Sequence, residues 1–266
     1  MSAKPKITGR GTRDWQELDS RHYLHPFTDF RALAAEGSRV ITRAEGVHLY
    51  DSEGQKILDA MSGLWCVNIG YGRNELADVA ARQMLELPYY NSFFKSSNPP
   101  AIELAQLLDE LTPPQFHRVF FTQSGSEAND TVLRLARFYW QAQGSPGRSI
   151  VISRHNAYHG STMAGASLGG MKPMHGQGGL PIPGIVHIRQ PYWYGEGGEL
   201  TPEEFGLLAA RALEEKILEL GPETVAAFIA EPVQGAGGVI IPPHTYWPEI
   251  QRICDRHGIL LVADEV

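Results

Sequence analysis

The most constraining feature of the chain is a strand-like run that is followed by a glycine- and serine-rich turn and then by a helix pattern. Residues 119–121 are apolar and predict a short buried strand, and apolar residues recur at helical spacing over 128–139. Ser124, with a glutamate three residues later, is typical of a capping box and places the helix start there. The backbone N–H groups of Gly125 and Ser126 would then point outward at the positive end of the helix dipole, where an anion can bind. An ordinary capped helix is the alternative, and neither a P-loop nor a GxGxxG pattern is present in this turn.

Strands and helices alternate along most of the chain. Continuous apolar runs that resemble buried strands occur at residues 149–153, 185–188, 225–230 and 259–263. The alternation predicts an α/β fold, a three-layer sandwich whose mostly parallel sheet has helices on both faces. Outside this alternation, a hairpin is predicted at 47–58 and a glycine-rich loop at 164–179.

Polar residues gather just past the carboxyl ends of the predicted strands, which is the edge where open α/β sheets bind ligands. Besides the serine–glycine turn, this edge receives Tyr158, Glu231 and Asp264. A buried carboxylate beside an anion site would repel a simple phosphate. A ligand that is anionic at one end and cationic at the other suits both groups, and pyridoxal phosphate is such a molecule.

In this interpretation the phosphate binds Gly125 and Ser126, and Asp264 keeps the ring nitrogen protonated so that the ring accepts electrons. Tyr158 would stack on the ring face, and Glu231 would orient either the ring hydroxyl side or Asp264. The alternative for each carboxylate is a structural one, a cap or an ion pair at a strand end.

The composition is that of an ordinary globular protein. The chain has 266 residues, of which 42% are hydrophobic and 20% charged, enough for one large domain or slightly more. The net charge of −7 and the lack of a basic stripe argue against a nucleic-acid partner. No apolar run has the length of a membrane span, and no membrane association is predicted. Cys66 and Cys254 are expected to be reduced thiols, which predicts a cytoplasmic protein.

Four motifs occur in the order typical of class III, fold-type I pyridoxal-phosphate aminotransferases: SGSEAN at 124–129, YHG at 158–160, EPVQG at 231–235 and ADEV at 263–266. The chain resembles that family from about Trp15 onward. The resemblance implies the family's large domain over 61–266, preceded at 1–60 by the N-terminal part of a small α+β domain. It also implies a homodimer and a set of cofactor-binding residues: Gly125, Ser126, Tyr158, His159, Glu231, Asp264 and Val266.

Within the family, LWCVN at 64–68 and YNSFFK at 90–95 most resemble the pyruvate-dependent ω-aminotransferases. The implied reaction moves an amino group from an amine or ω-amino acid donor to a keto-acid acceptor, pyruvate. Other pyridoxal-phosphate chemistry on the same fold, by an aminomutase or a decarboxylase, is the alternative. The resemblance implies these residues in the substrate pocket: Phe27, Trp65, Phe93, Phe94, Tyr158 and Ala236.

One departure from the family concerns its Schiff-base lysine, which follows the Asp-Glu-Val motif at some distance, whereas this chain ends at Val266. Lys95 and Lys172 stand in no matching motif and are expected to be solvated. Asp264 is therefore the catalytic residue that the chain itself supplies. We interpret the sequence as a truncated record of a longer enzyme; a lysine-less, non-catalytic fragment is the alternative.

His155 and His159 have the spacing of metal ligands. No cysteine or carboxylate stands near them in sequence, so no metal site is predicted. His159 is expected instead to donate or accept a hydrogen bond beside the cofactor ring.

Overall fold

The computed structural model describes residues 9–266, and its elements alternate as the sequence predicts. The helices are α1 (Thr12–His22), α2 (Phe30–Glu36), α3 (Ser62–Trp65), α4 (Asn74–Glu86), α5 (Pro99–Leu111), α6 (Gly125–Ala142), α7 (Met163–Leu168), α8 (Lys172–His175), α9 (Trp193–Glu196), α10 (Pro202–Leu220) and α11 (Tyr246–His257). The strands are β1 (Ile41–Glu45), β2 (His48–Asp51), β3 (Lys56–Leu58), β4 (Ile150–Arg154), β5 (Ile185–Ile188), β6 (Val225–Ala230) and β7 (Leu260–Ala263).

The chain forms two compact units, one that ends at Leu107 and one that spans Leu108–Val266. In the first unit, β1, β2 and β3 form an antiparallel sheet, and the predicted hairpin joins β2 to β3. The side chain of Asp51 shapes its turn by accepting hydrogen bonds from the backbone of Glu53 and Gln55. The predicted domain boundary at residues 60 and 61 stays a prediction, because compact chain segments do not define the domains of a complete fold.

The second unit is built on a parallel sheet with the strand order β5-β4-β6-β7. Successive side chains of a strand point to opposite faces, so each inner strand contributes to two separate hydrophobic clusters. Ile152 and Phe228 pack with α10 and α11 on one face. Val151 and Ile229 pack with α6 and α7 on the other. The unit therefore has three layers, which confirms the predicted α/β class and its helices on both faces.

Local sequence signals set the start of α10 and the end of α11. Thr201 and Glu204 form a reciprocal capping box at the start of α10, with a proline at the first helical position. Gly258 adopts the left-handed conformation that ends α11.

The predicted strand at 119–121 is wrong. Residues 117–122 are irregular, and Phe120 and Phe121 are largely exposed. A strand exists through hydrogen bonds to a neighbour, and the four described strands of this sheet pair only with one another. The apolar composition of residues 119–121 is therefore not enough to make them a strand.

The predicted loop at 164–179 is also wrong in part, because most of α7 and all of α8 lie within it. Residues 165–170 are buried. The glycines here allow close packing instead of an open loop: a Cβ on Gly165 would lie 2.9 Å from the carbonyl oxygen of His159.

Three histidines lie side by side, His155 directly after β4, His187 within β5 and His175 at the end of α8. The ring of His187 is 5.9 Å from that of His155 and 5.1 Å from that of His175. His175 donates through Nε2 to the carbonyl oxygen of Gly169, 2.8 Å away, so the cluster contacts the segment that contains α7. Burial lowers the pKa of His187 to about 4, and the nearby His175 and His155 act in the same direction. Burial also lowers the pKa of His155, with a further contribution from Lys172 that the charge of Glu196 opposes.

We expect the His187→Gln variant to lose less stability than the parent protein on acidification. The folded-state pKa of His187 is about 4, below its ordinary 6.5, so the unfolded chain binds the proton more tightly. The contribution of His187 to the free energy of unfolding is present above about pH 6.5 and is lost as the pH falls towards 4. The loss is at most about 3 kcal/mol for this half-buried ring. The measurement is the free energy of unfolding by urea at about pH 7.5 and about pH 4.5. His244→Gln, at an exposed histidine, is the control, and equal pH dependence in both variants would contradict the prediction.

Candidate functional site

The serine–glycine turn, which was predicted to bind an anion, lies at the start of α6. The Ser124 hydroxyl oxygen accepts from the Glu127 backbone N–H at 3.2 Å, so the helix begins at Gly125. The Glu127 side chain accepts from the backbone N–H of Gln123 and not from that of Ser124. Only the serine half of the predicted capping box therefore forms, and Gly125 and Ser126 occupy the first two helical positions.

The loop after β4 approaches this helix start closely. Ser126 Oγ accepts from the backbone N–H of Ser161 at 3.1 Å. A Cβ on Gly160 would lie 2.6 Å from Ser126 Oγ, and the φ of Gly160 is +129°. Glycine is thus required at this position by both space and conformation. Gly125 also lies near the end of the chain, since a Cβ built on it would be 3.8 Å from a methyl carbon of Val266.

Asp264 follows β7 and is held by two side chains. Its Oδ2 accepts from Nδ1 of His159 at 2.8 Å and from Nδ2 of Asn129 at 2.9 Å. Nδ1 of His159 is therefore the donor of this hydrogen bond. Burial raises the pKa of Asp264, but the hydrogen bonds from His159 and Asn129 outweigh it, and the pKa lies below its ordinary value. Asp264 is thus an ionised carboxylate whose side chain is only 9% exposed.

Glu231 follows β6, and both its oxygens accept backbone hydrogen bonds. Oε2 accepts from the N–H of Tyr158 at 3.1 Å, and Oε1 accepts from that of Gly235 at 3.0 Å. Burial raises the pKa of Glu231, and it outweighs the opposing effects of these bonds and of the charges on His159 and Arg154. The carboxylate thereby fixes the backbone at Tyr158, whereas the sequence predicted that it would orient the ring hydroxyl side or Asp264.

Arg154, at the end of β4, holds the backbone directly after β6. It is fully buried, and its Nη2 donates to the backbone oxygen of Glu231. Its guanidinium lies 5.9 Å from the ring of Tyr246 and 5.7 Å from that of Trp247, within cation–π range.

The residues predicted to bind the cofactor thus meet around the carboxyl ends of β4, β6 and β7 in the second unit. Ala236 belongs to the same unit, on an exposed turn closed by hydrogen bonds between Gln234 and Ile240. His155 and His159 have different partners, since His159 bonds to Asp264 and the ring of His155 stacks on that of His187. Among residues 9–266 no group of three or more histidine, cysteine or acidic side chains could hold a metal ion.

The four aromatic residues predicted for the substrate pocket, Phe27, Trp65, Phe93 and Phe94, lie in the first unit. All four are exposed, from 43% for Trp65 to 93% for Phe94. Phe27, Trp65 and Phe94 have positive φ angles, which bulky residues seldom adopt. Trp65 ends a left-handed turn in which Ser62, Gly63 and Leu64 also have positive φ. Such strained positions are common at binding sites, but the pocket assignment itself stays a prediction.

Sequence reasoning missed Asn129 and Arg154 as parts of the site. The signal for Asn129 was a polar residue on an apolar helix face, because it is buried with Leu133 and Ala136 one and two turns further on. Arg154 was detectable as a charged residue at the end of an apolar strand.

Comparison with known proteins shows the family of the chain. The profile of the class-III aminotransferase family matches residues 33–266. The chain is 62% identical over 261 residues to a putrescine–pyruvate aminotransferase of Pseudomonas aeruginosa, a match that includes 98% of this chain and 57% of that protein. The chain belongs to the class-III aminotransferase family.

Solved structures of ω-transaminases share the fold. The (S)-enantioselective ω-transaminase of Thermomicrobium roseum superposes with a TM-score of 0.93 at 44% identity, over 97% of this chain and 57% of that one. The ω-transaminase of Pseudomonas jessenii in complex with PMP gives a TM-score of 0.90 at 43% identity, over 94% and 56% of the two chains. The chain thus spans a little over half the length of these relatives. Within its described part, no helix is long and apolar enough to cross a membrane.

Proposed function

We propose that this chain forms the cofactor-binding part of a pyridoxal-phosphate-dependent aminotransferase. The observation that best supports this proposal is that one helix, α6, contributes both to the proposed phosphate site and to the position of Asp264. Its first residues, Gly125 and Ser126, present amides, while Asn129 bonds directly to Asp264. Ser126 and Asn129 are three residues apart, about 4.5 Å along the helix axis, so the helix that presents the amides also holds the carboxylate.

The residues fit pyridoxal phosphate, on which class-III aminotransferases depend. The start of α6 would bind the phosphate, and Gly160, which has no side chain, lets the loop after β4 lie against Ser126. Asp264 would accept a hydrogen bond from the ring nitrogen, and Tyr158, whose backbone Glu231 fixes, would lie on the ring face. His159 holds Asp264 from behind through Nδ1, and Val266 lies beside Gly125. When bound, the cofactor supplies an electron-accepting ring for reactions at the carbon next to the amine.

The phosphate site is tested by placing a negative charge on it. We expect Ser126→Asp to weaken cofactor binding roughly a hundredfold, because like charges about 5 Å apart near a protein surface repel by a few kcal/mol. Ser145→Asp adds the same charge after the other end of α6 and should bind normally. Dissociation constants for pyridoxal phosphate, measured by equilibrium dialysis of the protein from its complete reading frame, distinguish the two. Equal affinity in both variants would overturn the phosphate assignment.

We further propose that the whole protein transfers an amino group from an amine or ω-amino acid to pyruvate. The 62% identity to a putrescine–pyruvate aminotransferase supports this choice. A diaminobutyrate–2-oxoglutarate transaminase of Halomonas elongata is more distant, at 43% over 96% of this chain and 55% of that protein. The exposed aromatic residues of the first unit would form the donor pocket. Half-reaction kinetics with pyruvate and 2-oxoglutarate decide between the acceptors, and a strong preference for 2-oxoglutarate would contradict the proposal.

A cytoplasmic homodimer is the assembly we propose for the whole protein. The exposed Phe93 and Phe94, whose ring centroids are 6.1 Å apart, are the kind of apolar surface that a subunit interface buries. Sedimentation of the purified protein tests the dimer, and a monomer at micromolar concentration would contradict it.

A further inference from the structure

Asn129 links three separate parts of the second unit through one amide group. It is 5% exposed and lies one turn inside α6. Its Nδ2 donates to the backbone oxygen of His159 at 2.8 Å and to Oδ2 of Asp264 at 2.9 Å. Both hydrogens of the amide are therefore used, one on the loop after β4 and one on the residue after β7.

These bonds fix the rotation of the Asp264 carboxylate. Oδ2 accepts two side-chain donors, from Asn129 and His159, which approach from different elements. The backbone N–H of Val266 also lies near this carboxylate. With the rotation fixed, Oδ1 is the carboxylate oxygen that the two side chains leave for a further donor.

We propose that Asn129 is a positioning residue that turns Oδ2 of Asp264 towards the protein so that Oδ1 accepts the protonated ring nitrogen of the cofactor. The inference rests on the proposed function for the identity of the ligand. Asn129 itself touches neither cofactor nor substrate, so its effect passes entirely through Asp264. A merely structural amide would stabilise the fold and leave the protonation of the bound ring unchanged.

The test compares two buried carboxamides that each donate to a carboxylate. Asn129→Leu removes the donor to Asp264 at nearly constant volume. Gln190→Leu removes the matched donor from Gln190 Nε2 to Glu196 Oε1, 2.6 Å away, in the same unit. Pyridoxal phosphate labelled with nitrogen-15 in the ring is bound to each protein from the complete reading frame. Its chemical shift is followed from about pH 6 to about pH 9 to report ring protonation.

We expect Asn129→Leu to bind the cofactor and to lower the pH at which the ring nitrogen loses its proton by about one unit or more, because one bond that keeps Asp264 ionised and oriented is lost. Gln190→Leu should match the parent protein. Asn129→Ser retains one donor and should give an intermediate shift. The proposal is overturned if Asn129→Leu and the parent protein give the same curve, or if both Asn129 variants fail to fold while Gln190→Leu folds. A parent protein that does not bind the cofactor, or binds it with an unprotonated ring, would instead refute the proposed function.

Discussion

The Asp264→Asn variant is expected to lose turnover roughly a thousandfold or more while it keeps its fold. Asparagine has nearly the same shape as aspartate, and its carbonyl oxygen can accept the hydrogen bonds from His159 and Asn129 that now reach Oδ2. The fold therefore loses little. The side chain loses its negative charge, and with it the ability to stabilise a cationic ring nitrogen in a largely buried site.

The orientation of the new amide makes the expected effect larger. His159 Nδ1 and Asn129 Nδ2 both donate, so the amide oxygen has to face them and the NH₂ group has to face the ligand. An NH₂ group donates to an unprotonated ring nitrogen and repels a protonated one. Aspartate at this position favours a protonated ring nitrogen, whereas asparagine would favour an unprotonated one. The bound ring would then be a weaker electron acceptor.

Steady-state turnover with an amine donor and pyruvate measures the effect in the protein from the complete reading frame. Asp255→Asn is the matched control, because Asp255 is an exposed carboxylate on α11 of the same unit that accepts from Gln251. It should retain turnover. Normal turnover in Asp264→Asn would show that the ring nitrogen needs no anionic partner, and the charge argument on which the site assignment rests would be wrong.

Prediction from sequence worked best where the determining contacts are local. The capping box of Thr201 and Glu204 joins residues three apart, and α10 begins where it predicts. The strand at 225–230 was found because it is apolar throughout, and the structure buries every one of its residues. In both cases the residues that determine the element lie next to one another in the sequence.

The sequence-based predictions failed where the structure depends on contacts between residues that are far apart in the sequence. Residues 119–121 have strand composition but no described strand beside them to pair with. Asn129 contacts His159 and Asp264, which are 30 and 135 positions away. The sequence placed His159 and Asp264 near strand ends, but it could not specify which donors would reach the carboxylate of Asp264.

Gly170→Ala is expected to destabilise the protein by about 3 kcal/mol or more. A Cβ at Gly170 would lie 2.1 Å from the backbone oxygen of Arg154 and 2.7 Å from Cα of His155. The obstacle is backbone and not the end of a flexible side chain, so relief requires movement of the sheet or of the loop. Gly170 also exchanges two backbone hydrogen bonds with the opposite segment, to Ala157 at 2.9 Å and from Asn156 at 3.0 Å. The sheet end and the loop are therefore both held in place.

The same clash should affect the site, because the loop that Gly170 packs against carries Tyr158 and His159. Gly147→Ala is the matched control, since a Cβ there would meet its nearest neighbour at an ordinary 3.8 Å. Urea unfolding followed by circular dichroism gives the free energy of each variant, and Gly147→Ala should lie within about 0.5 kcal/mol of the parent protein. If Gly170→Ala unfolded at the same urea concentration as Gly147→Ala, the loop would be free to move away from β4. The packing around Gly170 would then hold His159 against Asp264 less firmly than the distances at Gly170 indicate.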